Sequence, residues 1–192
     1  MRSSIVRRSL RLGVRVGLAA CFGFAVTAVA PAVHADPSSW FSLAGGAGLW
    51  TENGTRRTPG ALQLELGLGS SPASPVVVGG VFKALMFVGR GTDLALTLRT
   101  ATGGFVRGDF GVAVDIGGYE RFWEVGSQGF LGAVVLGAPY GLQLTAMTEQ
   151  GTNDLRAYTA VLGIDFLRLT VYRDVSGGYW PNPMRAPVEA RR

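Results

Sequence analysis

Two pairs of carboxylates are the first residues in this chain whose spacing could do chemistry. Asp109 and Asp115 fall in the same phase of an alternating segment, and Glu120 and Glu124 flank Phe122-Trp123. A facing carboxylate pair can serve as acid and base on a glycosidic bond. A pair alone rarely marks a site, and strand-interior and loop solvation account for both pairs here. The single histidine, His34, and the single cysteine, Cys21, both precede residue 36. Beyond that point the chain has no imidazole and no thiol, which excludes Ser-His-Asp catalysis and zinc sites built on His or Cys. Gly67-Leu68-Gly69 and Gly89-Arg90-Gly91 fail as dinucleotide loops, because Pro72 and Leu94 occupy the last glycine position and no Walker lysine follows. The expectation is a non-enzyme with no catalytic, cofactor-binding or metal-ligating residue.

Residues 1–35 read as a secretory signal. Arg2, Arg7, Arg8, Arg11 and Arg15 precede an apolar run from Val16 to Ala30, and Val33-His34-Ala35 supplies a small-residue cleavage site before Asp36. The run is shorter than the ~20 residues a helix needs to cross a bilayer. Leu18-Ala19-Ala20-Cys21 resembles a lipoprotein box, but Phe22 to Val26 continues the apolar run where a lipidated chain usually turns polar. Arg7-Arg8 resembles a twin-arginine signal, yet Arg11 stands where that motif prefers an apolar residue. Cleavage after Ala35 removes five of the 18 basic residues and none of the 13 acids, so the remainder is neutral. The net charge of +5 belongs to the signal and gives no support for nucleic-acid binding. With Cys21 gone, no disulfide framework is available either.

After residue 36 the dominant signal is alternation. Leu62, Leu64, Leu66 and Leu68 interleave with Gln63, Glu65, Gly67 and Gly69. Leu94, Leu96 and Leu98 interleave with Asp93, Ala95, Thr97 and Arg99, and Phe110, Val112, Val114 and Ile116 with Asp109, Gly111, Ala113 and Asp115. Period two gives each strand one apolar face and one polar or small face. Strands are expected at 40–50, 60–69, 76–88, 92–102, 106–117, 129–138, 140–149 and 155–173. Turn residues separate them, including Asn53-Gly54, Ser70-Ser71-Pro72, Gly103-Gly104 and Ala138-Pro139. The last segment switches apolar phase after Phe166; a tight turn making a ninth strand would explain this, but the favoured expectation is a β-bulge near Asp165–Leu167. Pro181, Pro183 and Pro187 predict an irregular tail over 174–192.

Alternation does not say which face points inward. In a soluble barrel the apolar face is inside; in an outer-membrane barrel it faces lipid. The second face is rich in Gly and Ala with mid-strand charges, and Lys83 is the only lysine in the chain. Such a face suits a cramped lumen more than a solvated exterior. Trp40 and Trp50 bracket the first strand, and Phe105, Tyr119, Phe122, Trp123, Phe130 and Tyr140 fall near other strand ends, as interfacial girdles do. The connections at 51–59, 118–128 and 150–154 are longer than those at 70–75, 103–105 and 138–139, an alternation typical of such barrels, although the short third connection at 89–91 breaks it. The 118–128 loop, with Tyr119 to Glu124, is the candidate contact surface.

By this pattern residues 40–173 resemble the small eight-stranded outer-membrane barrels typified by the OmpA membrane domain and OmpX. The resemblance implies an all-β, up-and-down antiparallel barrel over 36–173, with outer-membrane lipid as its partner. It implies a structural or surface-interaction role. The chain departs from the pattern by continuing past Tyr172, where such barrels end on an aromatic. Enzymatic barrels resembling this group move protons with histidine, which is absent here beyond His34. A soluble, lipocalin-like exported barrel with an apolar ligand inside is the alternative. If the lumen is filled, Glu65, Lys83, Arg99, Arg107, Asp109 and Asp115 share it, with at least one ion pair among Glu65, Lys83, Arg99 and Asp115.

Overall fold

The computed structural model describes residues 37–123, 126–152 and 154–171. The expected signal at 1–35, Glu124 and the tail at 174–192 lie outside the described residues. Strand β1 (Ser38–Glu52) is followed by a short ribbon, β2 (Thr55–Arg57), then β3 (Gly60–Gly69), β4 (Val76–Phe87) and β5 (Gly91–Thr102). A short helix α1 (Gly103–Val106) leads to β6 (Gly111–Phe122), β7 (Gln128–Gly137), β8 (Leu142–Gly151) and β9 (Arg156–Asp165), and α2 (Phe166–Thr170) follows. Every neighbouring pair is antiparallel, and β9 returns to pair with β1. Eight strands thus close an up-and-down barrel, which leaves no open edge in the wall. The ribbon β2 extends only the upper end of β1, through a turn in which Asn53 and Gly54 have φ of 47° and 76°. Two residues with positive φ match the twist of a tight hairpin, so the Asn-Gly turn reading stands.

The apolar phase points outward. Leu62, Leu66, Leu68, Leu98, Ile116 and Leu162 are exposed, while Glu65, Lys83, Arg99 and Asp115 are at most 1% exposed. Inside, two apolar clusters occupy the ends of the lumen. Trp50, Leu85, Phe87, Tyr119 and Leu131 fill the upper part, and Trp40, Val77, Val81, Phe105 and Val135 the lower. On β4, Lys83 lies between Val81 of the lower cluster and Leu85 of the upper, so the charges form a layer between two greasy ones. Trp40 lies in a slot that only glycine leaves open. A Cβ at Gly69 would come within 2.5 Å of its ring, and one at Gly79 within 2.8 Å.

Four expectations are corrected. The strand expected at 106–117 begins at Gly111 and runs to Phe122. The Thr102 hydroxyl accepts from the Phe105 amide and starts α1, so Arg107 and Asp109 sit in an exposed connection outside the lumen. Asp109 and Asp115 therefore do not share a strand face. The segment 155–173 is not one bulged strand: Asp165 ends β9 and caps α2, and helical geometry accounts for the phase switch. Trp40, Trp50, Phe105 and Tyr119 point inward and are not girdle residues, each at most 2% exposed. Phe122, Trp123, Phe130 and Tyr140 do face outward near strand ends. Finally, the long-and-short alternation of connections is absent. Extension of β6 shortens the loop expected at 118–128 to 123–127, and the connection expected at 103–105 spans 103–110.

Candidate functional site

The chemistry-bearing side chains beyond the wall converge in the lumen. Strand pairing places Glu65 directly opposite Lys83, and Arg99 directly opposite Asp115. Paired residues in antiparallel strands project to the same face, so all four meet inside. Arg99 grips Asp115 with a fork, Nε to Oδ1 and Nη2 to Oδ2, both at 2.7 Å. Its Nη2 also reaches Glu65 Oε2 at 3.0 Å. Lys83 bonds Glu65 and crosses β5 to Asp115 Oδ2 at 2.8 Å. That reach passes over Ala95, the residue paired with Lys83, whose small side chain leaves room. Gln63 and Ser42 donate to Glu65 at 2.5 and 3.2 Å, and Gln143 donates to Ser42 at 2.7 Å. Two cations thus balance two carboxylates, and hydrogen bonds from Gln63 on β3 itself and from two further strands, β1 and β8, tie the network to the wall. The ion pair expected among these four residues is present, as a closed quartet.

Three further charged groups were not anticipated as luminal. Asp93 on β5 lies opposite Arg121 on β6, and the two form a bidentate pair with Nε to Oδ1 at 2.5 Å. The Arg121 guanidinium stacks 3.8 Å over Trp50, and Glu149 on β8 lies 3.9 Å from its Nη2. Asp93 shares its phase with Arg99, and Arg121 shares its phase with Asp115. The alternation carries this signal, and for Arg121 an expected strand end at residue 117 hides it, since β6 runs on to Phe122. Of the candidate contact surface, Tyr119 and Arg121 point into the barrel, while Phe122 and Trp123 are exposed.

At the lower mouth Arg168 is buried. From α2 its guanidinium donates to the carbonyls of Ala138 and Asp109, both at 3.1 Å, and Leu142 at 3.4 Å, and it stands 4.5 Å over Phe105. The Asp165 carboxylate orients the helix by accepting from the Leu167 and Arg168 amides. Burial lowers the Arg168 pKa from its ordinary value, and the Asp165 charge works against that. At the upper mouth an open cavity of about 180 Å³ lies between Trp50, Glu52, Asn53, Thr55, Arg57 and Arg90. It is smaller than the ~300 Å³ at which pockets for small organic ligands begin. Among the described residues no cluster of three or more metal-capable side chains occurs.

No family model matches the chain, and no curated protein matches it. Among solved structures it is similar to Ail, the attachment invasion locus protein of Yersinia pestis, in complex with the heparin analogue sucrose octasulfate. Identity is 12%, the match covers 69% of this chain and 98% of that one, and the TM-score is 0.43. The closed eight-stranded barrel described above rests on the chain's own strand pairing.

Proposed function

We propose that this chain is an exported outer-membrane barrel with a structural or surface-interaction role and no enzymatic activity. The observation that carries the reading is the facing of the wall. Charged side chains are paired inside, and the outside is a belt of exposed Leu, Val, Ile and Phe. In water that arrangement exposes far more contiguous apolar surface than a soluble monomer tolerates. In a bilayer the same belt is satisfied by lipid, and each charge kept off it avoids a cost of about 2–4 kcal/mol near the midplane. The lipocalin-like alternative needs an apolar lumen for its ligand. Here the centre of the lumen holds the Glu65–Lys83–Arg99–Asp115 quartet, Trp40 and Arg168 block the lower part, and Trp50 and Arg121 the upper. Filled this way, the barrel serves as a membrane body whose connections and rims carry the interaction.

Membrane fractionation tests the reading. The expected result is carbonate-resistant, detergent-soluble material with an N-terminus at Asp36 and no acyl group on Cys21. Soluble periplasmic or secreted protein overturns it.

A further inference from the structure

We propose that the upper outer rim of the barrel binds phosphate headgroups of the surrounding bilayer through Arg56 and Arg156. The inference rests on the membrane reading above and names the ligand chemistry of one part of the wall. Arg56 on β2 pairs with Thr51 on β1, Thr51 pairs with Arg156 on β9, and Arg156 pairs with Gln150 on β8. Because Trp50 is buried in the lumen, Thr51 and its partners lie on the outer face. The row therefore runs Arg56, Thr51, Arg156, Gln150 across four adjacent strands, with no carboxylate in it. Neither guanidinium makes a hydrogen bond or ion pair among the described residues, and both side chains are exposed.

Their height on the wall supplies the second argument. One pleat below Thr51 and Arg156, Leu49 pairs with Tyr158, and these two are 41% and 56% exposed. The guanidinium groups thus stand just above the end of the apolar belt, beside an outward tyrosine of the kind found at membrane interfaces. Two strand spacings separate the arginines, roughly 10 Å, a distance that neighbouring lipid phosphates or one diphosphorylated headgroup can bridge. A guanidinium fork matches phosphate oxygens bidentately. The opposite end of the wall lacks this feature. Its outward strand positions Ser39, Leu68, Val76, Thr102, Val112 and Leu136 carry no charge. The asymmetry assigns headgroup binding to the end away from the start of β1.

Full-length protein and the variant R56Q/R156Q are reconstituted into vesicles of phosphatidylcholine alone or mixed with phosphatidylglycerol. Retained lipid is counted by native mass spectrometry, and folding is confirmed by heat-modifiable electrophoretic mobility. The expected result is retention of phosphatidylglycerol by the parent about tenfold above its bulk share at low salt, lost at high salt and in the variant. R107Q, at the lower end, is expected to retain as the parent does. Equal retention by parent and R56Q/R156Q overturns the proposal while leaving the membrane reading intact, as does an equal loss in R107Q. Protein that folds but stays out of both vesicle types overturns the membrane reading and this proposal together.

Discussion

Lys83 and Asp115 stand on strands that never touch, yet Nζ and Oδ2 lie 2.8 Å apart across β5. The contact turns two cross-strand pairs into one quartet. Each carboxylate meets both cations, so no member of the group is held by a single bond. For side chains at most 1% exposed this matters, because an uncompensated buried charge costs several kcal/mol.

The quartet predicts a non-additive double-mutant cycle. R99M leaves Glu65 and Asp115 facing Lys83 alone and is expected to cost about 3–5 kcal/mol. R99M/D115L restores charge balance around Glu65–Lys83 and is expected to cost less than R99M. Urea unfolding in lipid vesicles measures these two and D115L, and additive losses around the cycle would contradict the quartet as a unit.

The outward apolar face predicts that arginine at Leu66 or Leu96 destabilises the folded barrel by about 2–4 kcal/mol. Spin labels at Leu64, Leu66, Leu96 and Val114 should be reached by oxygen and shielded from water-soluble quenchers. Shielding from both would mean that these positions are buried in protein.

Arg168 predicts a closed lower mouth held by one side chain. R168A removes three donations to carbonyls at Ala138, Asp109 and Leu142 and is expected to lower stability by about 2–3 kcal/mol, since bonds from a charged donor are among the stronger ones. Protease cleavage within Phe166–Thr170 should quicken by an order of magnitude or more. R168K, lacking the planar fork, should restore only part of the loss. Unchanged cleavage in R168A would remove the plug role.

The glycine slot for Trp40 predicts intolerance to a single methyl group. G79A places a carbon 2.3 Å from the Leu68 carbonyl oxygen and 2.8 Å from the indole, so backbone as well as ring must move. The expected loss is about 1–3 kcal/mol. G80A, with nothing near its added carbon, is the control and should change stability by far less. Equal effects of the two would remove the slot as the cause.

With the quartet and Arg168 intact, the parent barrel should show no steady open-channel current in planar bilayers. An eight-stranded barrel encloses little more than its own side chains, and here those side chains are hydrogen-bonded to one another and to the wall. A sustained conductance would show that the lumen is not sealed.

Local pattern carried much of the architecture. Alternation over Leu62–Gly69, Asp93–Arg99 and Val112–Ile116 marked strands and sorted their side chains into two faces, because successive residues of a strand point to opposite sides whatever surrounds them. The same periodicity put Glu65, Arg99 and Asp115 on one face, and Asn53-Gly54 marked its turn through backbone sterics, though not the ribbon β2 that follows it. Where several local conformations satisfy one pattern, the sequence was ambiguous. Arg107–Phe110 alternates as a strand would, but it follows the helical turn Gly103–Val106 that Thr102 caps and lies in the connection to β6, and the phase change after Phe166 fits a bulge as well as the helix that Asp165 starts. Which way the faces point, and hence that Trp40 and Trp50 point into the lumen, was decided only where β9 closes on β1, for closure decides what is inside. The bonds from Gln143 to Ser42 and from Lys83 to Asp115 belong to that same long-range register, set by strands distant in the chain, which no short window of residues contains.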